Sequence, residues 1–146
     1  MNLICENGIY LNENLKTKAE ALKKLSEIAV KEGIAQDSKI LYDAFIEREK
    51  TSSTGMMDGF SIPHAKSDTI NKAQILVIRN NNGLSDWETL DDSEVKLVIA
   101  ILVPNENVNE THLKVLSNVS RKLMSDENVK LLKNTDSKED IIRILS

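Results

Sequence analysis

The stretch VKLVIAILV, Val95 to Val103, decides the fold because it is almost continuously apolar. Such a run is typical of a strand buried on both faces of a sheet, since successive side chains of a strand point to opposite faces. A second stretch, QILVIR from Gln74 to Arg79, predicts a neighbouring strand that the turn-forming residues Asn80 to Gly83 would close. We expect both strands at the centre of a sheet. Between them, Trp87 is predicted to pack under a connecting loop, and Asp91-Asp92 to form a turn.

Helix signals surround these strands. Thr17, followed by Glu20, has the form of a capping box, and the helix that it begins is expected to end before Gly33. Lys50 to Ser53 is predicted to be a polar linker, and Ile9 to Leu11 a short strand. Capping residues before amphipathic repeats predict helix starts at Lys18, after Asp37-Ser38, at Asn109, at Asp126 and at Ser137. The length of 146 residues and the order of these helices and strands therefore predict a single α/β domain, residues 1–146.

The composition excludes several classes of function. Proteins that bind nucleic acids typically have clustered Lys and Arg and aromatic rings that stack on bases. This chain has a net charge of −4, a pI near 5.3 and 3% aromatic residues. No apolar run approaches a membrane span, and the N-terminus does not look like a secretion signal. We therefore expect a cytoplasmic protein with no nucleic-acid partner and no direct membrane insertion. The single cysteine, Cys5, precedes Glu6, which favours a small apolar residue near a strand over a reactive thiolate.

The candidate functional segment is TGMMDGFSIPHAK, Thr54 to Lys66. Its glycines bracket a turn at Asp58-Gly59, and Pro63 fixes the backbone of a further turn, Pro63-His64, which carries one of the two histidines in the chain. The glycines match neither a P-loop nor the dinucleotide fingerprint, which argues against ATP and NAD. Neither histidine has a second ligand at a spacing typical of zinc sites, so no metal is expected. His64 is the candidate for the reacting group.

Arg48 and His112 are two further candidates for the site. Arg48 shares the apolar face of the second predicted helix, and periodicity leaves two explanations open. Its stem can lie along the core while its head reaches water or pairs with Glu47 or Glu49, or its guanidinium can bind a phosphate group bidentately. His112 falls in the first turn of the helix predicted from Asn109, where N–H groups favour an anion, although satisfaction of local backbone groups explains this histidine better.

The chemistry of Arg48, His64 and His112 is coherent if these residues meet at one rim of the sheet. A neutral imidazole, with a usual pKa of about 6.5, can accept a phosphoryl group on a ring nitrogen. Transfer of that group depends on positioning and on positive charge, because negative charge spreads over its oxygens. Arg48 would supply the charge, and His112 a hydrogen-bond donor.

These residues occur in a pattern that resembles the enzyme IIA domain of the phosphoenolpyruvate-dependent sugar phosphotransferase system, fructose/mannitol class. The pattern consists of Arg48-Glu49-Lys50, the segment from Thr54 to Lys66 and the run from His112 to Leu116, and the similarity covers essentially the whole chain. The resemblance implies a single-domain α/β sandwich with a central mixed β-sheet flanked by helices.

The resemblance also implies a phosphohistidine carrier. His64 would accept a phosphoryl group from the histidine-containing phosphocarrier protein and pass it to a cysteine of a IIB domain or subunit. Arg48 would hold the phosphate and His112 would donate to it, while Thr54 and Gly55 would support the site. No cofactor is implied beyond the transient phosphate.

Two positions depart from the family pattern. Met57 stands where a glycine is common, and Ser61 replaces the usual alanine, so that loop shape or partner choice could differ. Other functions stay open: a regulatory, nitrogen-type IIA module that phosphorylation of His64 switches, and, more distantly, a histidine-dependent hydrolase. The sequence specifies neither the sugar nor the oligomeric state.

Overall fold

The computed structural model describes residues 3–105 and 110–146, apart from the side chains of residues 110–112, 115 and 116. The strands are β1 (Ile9–Glu13), β2 (Phe60–Ser61), β3 (His64–Ser67), β4 (Gln74–Leu84) and β5 (Val95–Pro104). The helices are α1 (Lys18–Lys31), α2 (Ser38–Thr51), α3 (Glu110–Lys122), α4 (Asp126–Asn134) and α5 (Lys138–Leu145), and a 3₁₀ turn spans Glu6–Gly8. None of the helices in these ranges has the length and apolar character needed to cross a bilayer.

Strands β4 and β5 form the centre of a five-stranded mixed sheet. They are antiparallel to each other, β1 runs parallel to β4 on one side, and β2 and β3 run parallel to β5 on the other. Alternate side chains enter two separate cores: Leu76 and Val98 pack with α1 and α2, whereas Ile75 and Ile99 pack with α3, α4 and α5. This double burial accounts for the continuous apolar run in β5, and the predicted α/β sandwich with helices on both faces is confirmed.

The helix starts follow their caps. Thr17 Oγ1 accepts a hydrogen bond at 3.1 Å from the backbone N–H three residues later, and the Asp37 carboxylate accepts from two backbone N–H groups of α2. Ser125 and Ser137 cap α4 and α5 in the same way. Each cap satisfies an N–H group that the helix itself leaves unpaired. The cap predicted at Asn109 lies outside the described residues.

The predicted end of the strand that begins at Gln74, now β4, is wrong. β4 continues through residues 80–83 to Leu84, although these residues are typical of a turn. The side chain of the buried Asn80 explains the difference: its Oδ1 accepts from Leu15 N at 2.7 Å and its Nδ2 donates to Leu15 O at 2.8 Å. The amide thereby takes the place of a backbone partner, and the strand keeps its course beside the chain that leads into α1.

Two further boundaries differ from expectation. Lys50 and Thr51 are the last residues of α2 rather than linker residues. The Arg48 guanidinium donates to Ser52 O at 3.0 Å, which provides a partner for the backbone at the end of this helix. His64 begins β3, whereas the sequence indicated a turn at Pro63-His64.

The loop between β4 and β5 is structured by its own side chains. Trp87 is 2% exposed, so that its predicted packing under the loop is confirmed. Asp91 Oδ1 accepts from both the hydroxyl and the backbone N–H of Ser93, at 2.6 and 3.1 Å. The hydrogen bond from the Ser93 hydroxyl is the largest cause that lowers the pKa of Asp91 to about 2, and hydrogen bonds from backbone N–H groups contribute less. Asp91 lies in a turn as predicted, and Asp92 directly after it has a positive φ of 61°.

Candidate functional site

A groove with a volume of about 830 Å³ lies at the β3 edge of the sheet, between α2 and α3. Its floor includes apolar side chains of β5, and its walls carry polar and charged groups. The polar side chains that line it are Glu47, Arg48, Thr51, His64, Lys66, Ser117 and Ser120. The structure thus brings together Arg48 and His64, which are far apart in the sequence, and places α3 beside both of them.

His64 is held at the first position of β3. Pro63 O accepts a hydrogen bond from Ile101 N at 2.9 Å, and His64 lies opposite Ile101 in the parallel ladder between β3 and β5. The side chain is half-buried, and its Nδ1 is buried with no hydrogen-bond partner among the described residues. The ring is therefore fixed by the sheet and by packing rather than by a described polar contact at Nδ1.

The surroundings of His64 favour the neutral imidazole. Burial lowers the pKa of His64 below its usual value, the positive charge of Arg48 lowers this pKa further, and the negative charge of Glu49 acts in the opposite direction. At pH 7 the ring thus carries a lone pair on one nitrogen, which is the form that can act as a nucleophile.

Arg48 lies in the last turn of α2 and lines the groove. Its Nη1 donates to Ser52 O, and the ion pairs among the described residues do not include it. The predicted alternative of a pair with Glu47 or Glu49 is therefore not what the structure has. A guanidinium offers five N–H donors, so one bond to the backbone leaves others available to an anion in the groove.

Thr54 and Gly55 are not among the residues that line the groove. Thr54 is 4% exposed, and its carbonyl accepts from Ile62 N at 3.0 Å, which ties the two ends of the segment together. A Cβ on Gly55 would come within 1.9 Å of Glu88 O, so only glycine allows this approach to the β4–β5 loop. Both residues are placed to support the segment that carries His64.

The backbone of His112 lies in the first turn of α3, and its side chain is outside the described residues. Ser117 and Ser120 of the same helix line the groove. The geometry therefore places the helix beside His64 and leaves the role of His112 as a prediction.

One residue near the site was not identified as functional from the sequence. The carboxylate of Glu49 is 5% exposed, and its Oε1 lies 2.8 Å from Lys18 Nζ. The sequence offered the adjacency of Glu49 to Arg48 and its place in the Arg48-Glu49-Lys50 run, but no local signal connects it with the start of α1. Among the side chains that the structure describes, no three His, Cys, Asp or Glu are grouped to hold a metal ion. Cys5 is exposed and lies outside the groove.

The fold and the groove define a class of protein: an α/β sandwich that presents a half-buried histidine and an arginine at one edge of its sheet. The chain belongs to the family described as phosphoenolpyruvate-dependent sugar phosphotransferase system, EIIA 2, whose family model matches residues 2–146. The resemblance noted from the sequence is thereby confirmed.

Known relatives include both single components and parts of longer chains. A fructose-specific EIIA component from Haloferax volcanii is 36% identical over 138 residues, which are 94% of this chain and 88% of the relative. A fructose-specific EIIABC component from Bacillus subtilis is 34% identical over 144 residues, which are 99% of this chain but 22% of the relative. The crystal structure of the nitrogen regulatory protein IIA-Ntr from Neisseria meningitidis has a TM-score of 0.87 and 25% identity, covering 99% of this chain and 97% of the other.

Proposed function

We propose that this chain is a phosphohistidine carrier of the sugar phosphotransferase system. His64 accepts a phosphoryl group from the histidine-containing phosphocarrier protein and passes it to a cysteine of a IIB domain or subunit. Membership of the EIIA family supports phosphoryl transfer in general. The observation that carries the assignment to His64 is its environment: an imidazole of lowered pKa lines the same groove as an arginine outside the described ion pairs.

The accepting atom is Nε2, because Nδ1 is buried. The Nε2 lone pair attacks the phosphorus of the donor phosphohistidine, an N–P bond forms on His64, and the donor N–P bond breaks. The donor imidazole leaves as the neutral base when its other ring nitrogen carries a proton, and His64 in turn carries a proton on Nδ1. Onward transfer repeats the exchange with a cysteine thiolate as the nucleophile.

Arg48 stabilises the transferring group by charge. Negative charge on the phosphoryl oxygens is matched by the planar guanidinium, whose remaining donors can hold two oxygens together. For His112, the family resemblance and its position in the first turn of α3 support a role as a donor to the same oxygens. Loss of transfer in His112→Ala, with unchanged thermal stability, is the result expected for that role, and wild-type transfer would exclude it.

The proposed partners are two proteins used in succession, with neither a nucleic acid nor a direct contact with the membrane. The name of the Bacillus subtilis relative combines A, B and C components, which supports a IIB partner for this chain. We place this chemistry in the cytoplasm, with no cofactor and no metal beyond the phosphate carried on His64.

The test uses phosphoenolpyruvate, the first enzyme of the system and the phosphocarrier protein. We expect the chain to gain one acid-labile phosphate and to lose it when a IIB protein is added. His64→Ala should take up none, whereas Asp43→Asn, an exposed change on α2, should behave as wild type. Labelling that persists in the His64 variant would refute the assignment.

A regulatory, nitrogen-type module is the second candidate, and the likeness to IIA-Ntr favours it. In that case the phosphate on His64 alters the charge of the groove and thereby changes the affinity for a partner protein. The two functions differ in the second half of the experiment. Rapid transfer to IIB proteins of the fructose and mannitol classes indicates a carrier, and phosphate retained in their presence indicates a regulator.

A further inference from the structure

The carboxylate of Glu49 is enclosed by donors from two other segments. Its Oε1 lies 2.8 Å from Lys18 Nζ and accepts from Thr54 N at 3.1 Å, and its Oε2 accepts from Thr54 Oγ1 at 2.6 Å. Lys18 belongs to the start of α1, Glu49 to the end of α2, and Thr54 to the segment that leads to His64. A buried carboxylate with this many donors holds all three segments at fixed distances.

This cluster is connected to the reacting group by short steps. Thr54 O accepts from Ile62 N, directly before the Pro63-His64 pair. At the other end, Lys18 Nζ lies 5.2 Å from the centroid of the Trp87 ring, which limits where the ammonium can go. A shift of the Glu49 carboxylate is therefore passed to the backbone that positions His64.

The cluster also leaves Arg48 available. Glu49 is the neighbour of Arg48 in the chain, yet its two oxygens are occupied by Lys18 and Thr54.

We propose that Glu49 is a positioning residue for phosphoryl transfer at His64. Held by Lys18 and Thr54, it fixes the segment that carries His64. It also places one negative charge near the imidazole, where its effect is opposite to that of Arg48. The inference rests on the proposed function and adds to it the group that orients the nucleophile. The other charged side chains that line the groove are Glu47 of α2 and Lys66 of β3, whereas β5 contributes apolar groups and the described lining of α3 is uncharged.

The decisive variant is Glu49→Gln, which keeps the shape and an acceptor oxygen but removes the charge. We expect a folded protein in which the turnover rate of phosphoryl acceptance falls about tenfold at an unchanged KM for the phosphocarrier protein, because the nucleophile is displaced rather than the partner surface. The titration midpoint of His64, followed by NMR, should fall, since the charge of Glu49 raises the pKa of His64. Asp43→Asn is the matched control on α2, and it should change neither quantity.

A Glu49→Gln protein with the wild-type rate and the wild-type His64 midpoint would overturn the inference. If this variant does not fold, Thr54→Val decides: it removes the 2.6 Å hydroxyl contact and retains the charge, and an unchanged turnover rate would again overturn it. The His64 midpoint can be read without any phosphoryl donor. A wild-type chain that takes up no phosphate therefore refutes the proposed function, while the midpoint separately tests the role of Glu49.

Discussion

Replacing Gly55 by alanine tests the contact that places the His64 segment against the β4–β5 loop. The added Cβ would lie 1.9 Å from Glu88 O and 2.9 Å from Glu88 C, whereas non-bonded carbon atoms prefer about 3.5 Å or more. Both sides are held: Ser53 Oγ donates to Glu88 O at 2.6 Å and accepts from Gly55 N at 3.1 Å. The backbone of one partner must therefore withdraw by roughly 1.5 Å.

Overpacking of this kind costs about 1–3 kcal/mol. With an unfolding entropy of about 2.1 cal/mol/K per residue, a chain of 146 residues loses ~3 °C per kcal/mol, so Tm should fall by about 3–10 °C. Thermal unfolding followed by circular dichroism measures this, and the phosphoryl-transfer assay should show a slower rate in the same variant, because the displaced segment carries His64. Without the contact, alanine would instead stabilise the chain by about 0.4–1 kcal/mol through the unfolded state.

Gly33→Ala is the control for the substitution itself. Gly33 has a φ of +73° and nothing within 4 Å of an added Cβ, so that only the backbone conformation resists the change. We expect a lower Tm with an unchanged transfer rate in this variant, because Gly33 follows α1 and does not line the groove. A Gly55→Ala protein with a wild-type or higher Tm would refute the close approach on which the argument depends.

Three other substitutions test the site and the sheet. Arg48→Lys should slow phosphoryl transfer about 10- to 100-fold, because an ammonium cannot replace a bidentate fork, and wild-type rates with both partners would reject the clamp. By NMR, His64 should titrate below pH 6.5, since burial and Arg48 lower its pKa. Between that midpoint and pH 6.5 the unfolded chain binds more protons than the folded chain, so the free energy of unfolding falls as the pH decreases through this window. His64→Asn should remove this pH dependence of stability. Asn80→Ala leaves the N–H and C=O of Leu15 without their side-chain partner and should lower the unfolding free energy by about 2 kcal/mol in urea titrations; an equal midpoint would mean that water replaces the amide.

The sequence predicted the central strands because their signal is local. Residues 97–103 are apolar on both faces, and only a strand covered on both sides accommodates that pattern. The continuation of β4 was missed because its cause is distant: Asn80 pairs with Leu15, which is 65 residues away in the chain. Single-sequence patterns report propensity, whereas this boundary depends on a tertiary hydrogen bond.

The candidate site also has features with a local sequence signal and features that depend on distant contacts. The Pro63-His64 pair stands out in the sequence, and periodicity placed Arg48 on the apolar face of α2. Whether Arg48 pairs with Glu49 depended on Lys18, which lies 2.8 Å from that carboxylate but belongs to another helix. The sequence could therefore name Arg48 and His64 as candidates, but not the contact with Lys18 that occupies the neighbouring Glu49.

The structure makes the role of Ser61, the serine directly before Ile62-Pro63-His64, testable. Its side chain is fully buried in β2, and its Oγ has no hydrogen-bond partner among the described residues, so it cannot alter partner choice by contact, whereas Met57 is 53% exposed. A buried hydroxyl without a partner costs about 1–3 kcal/mol. Ser61→Ala should therefore raise Tm by a few degrees and leave the transfer rate unchanged.

Ser67→Ala is the matched control for Ser61→Ala. Ser67 is also a buried strand serine, but its Oγ accepts from Thr69 N at 3.2 Å, and its removal leaves that N–H unpaired. We expect Tm to fall in this variant and to rise in Ser61→Ala, measured side by side in the same buffer. A decrease in both would show that the Ser61 hydroxyl is satisfied in solution, and the serine would then be a stabilising residue of β2 rather than a tolerated one.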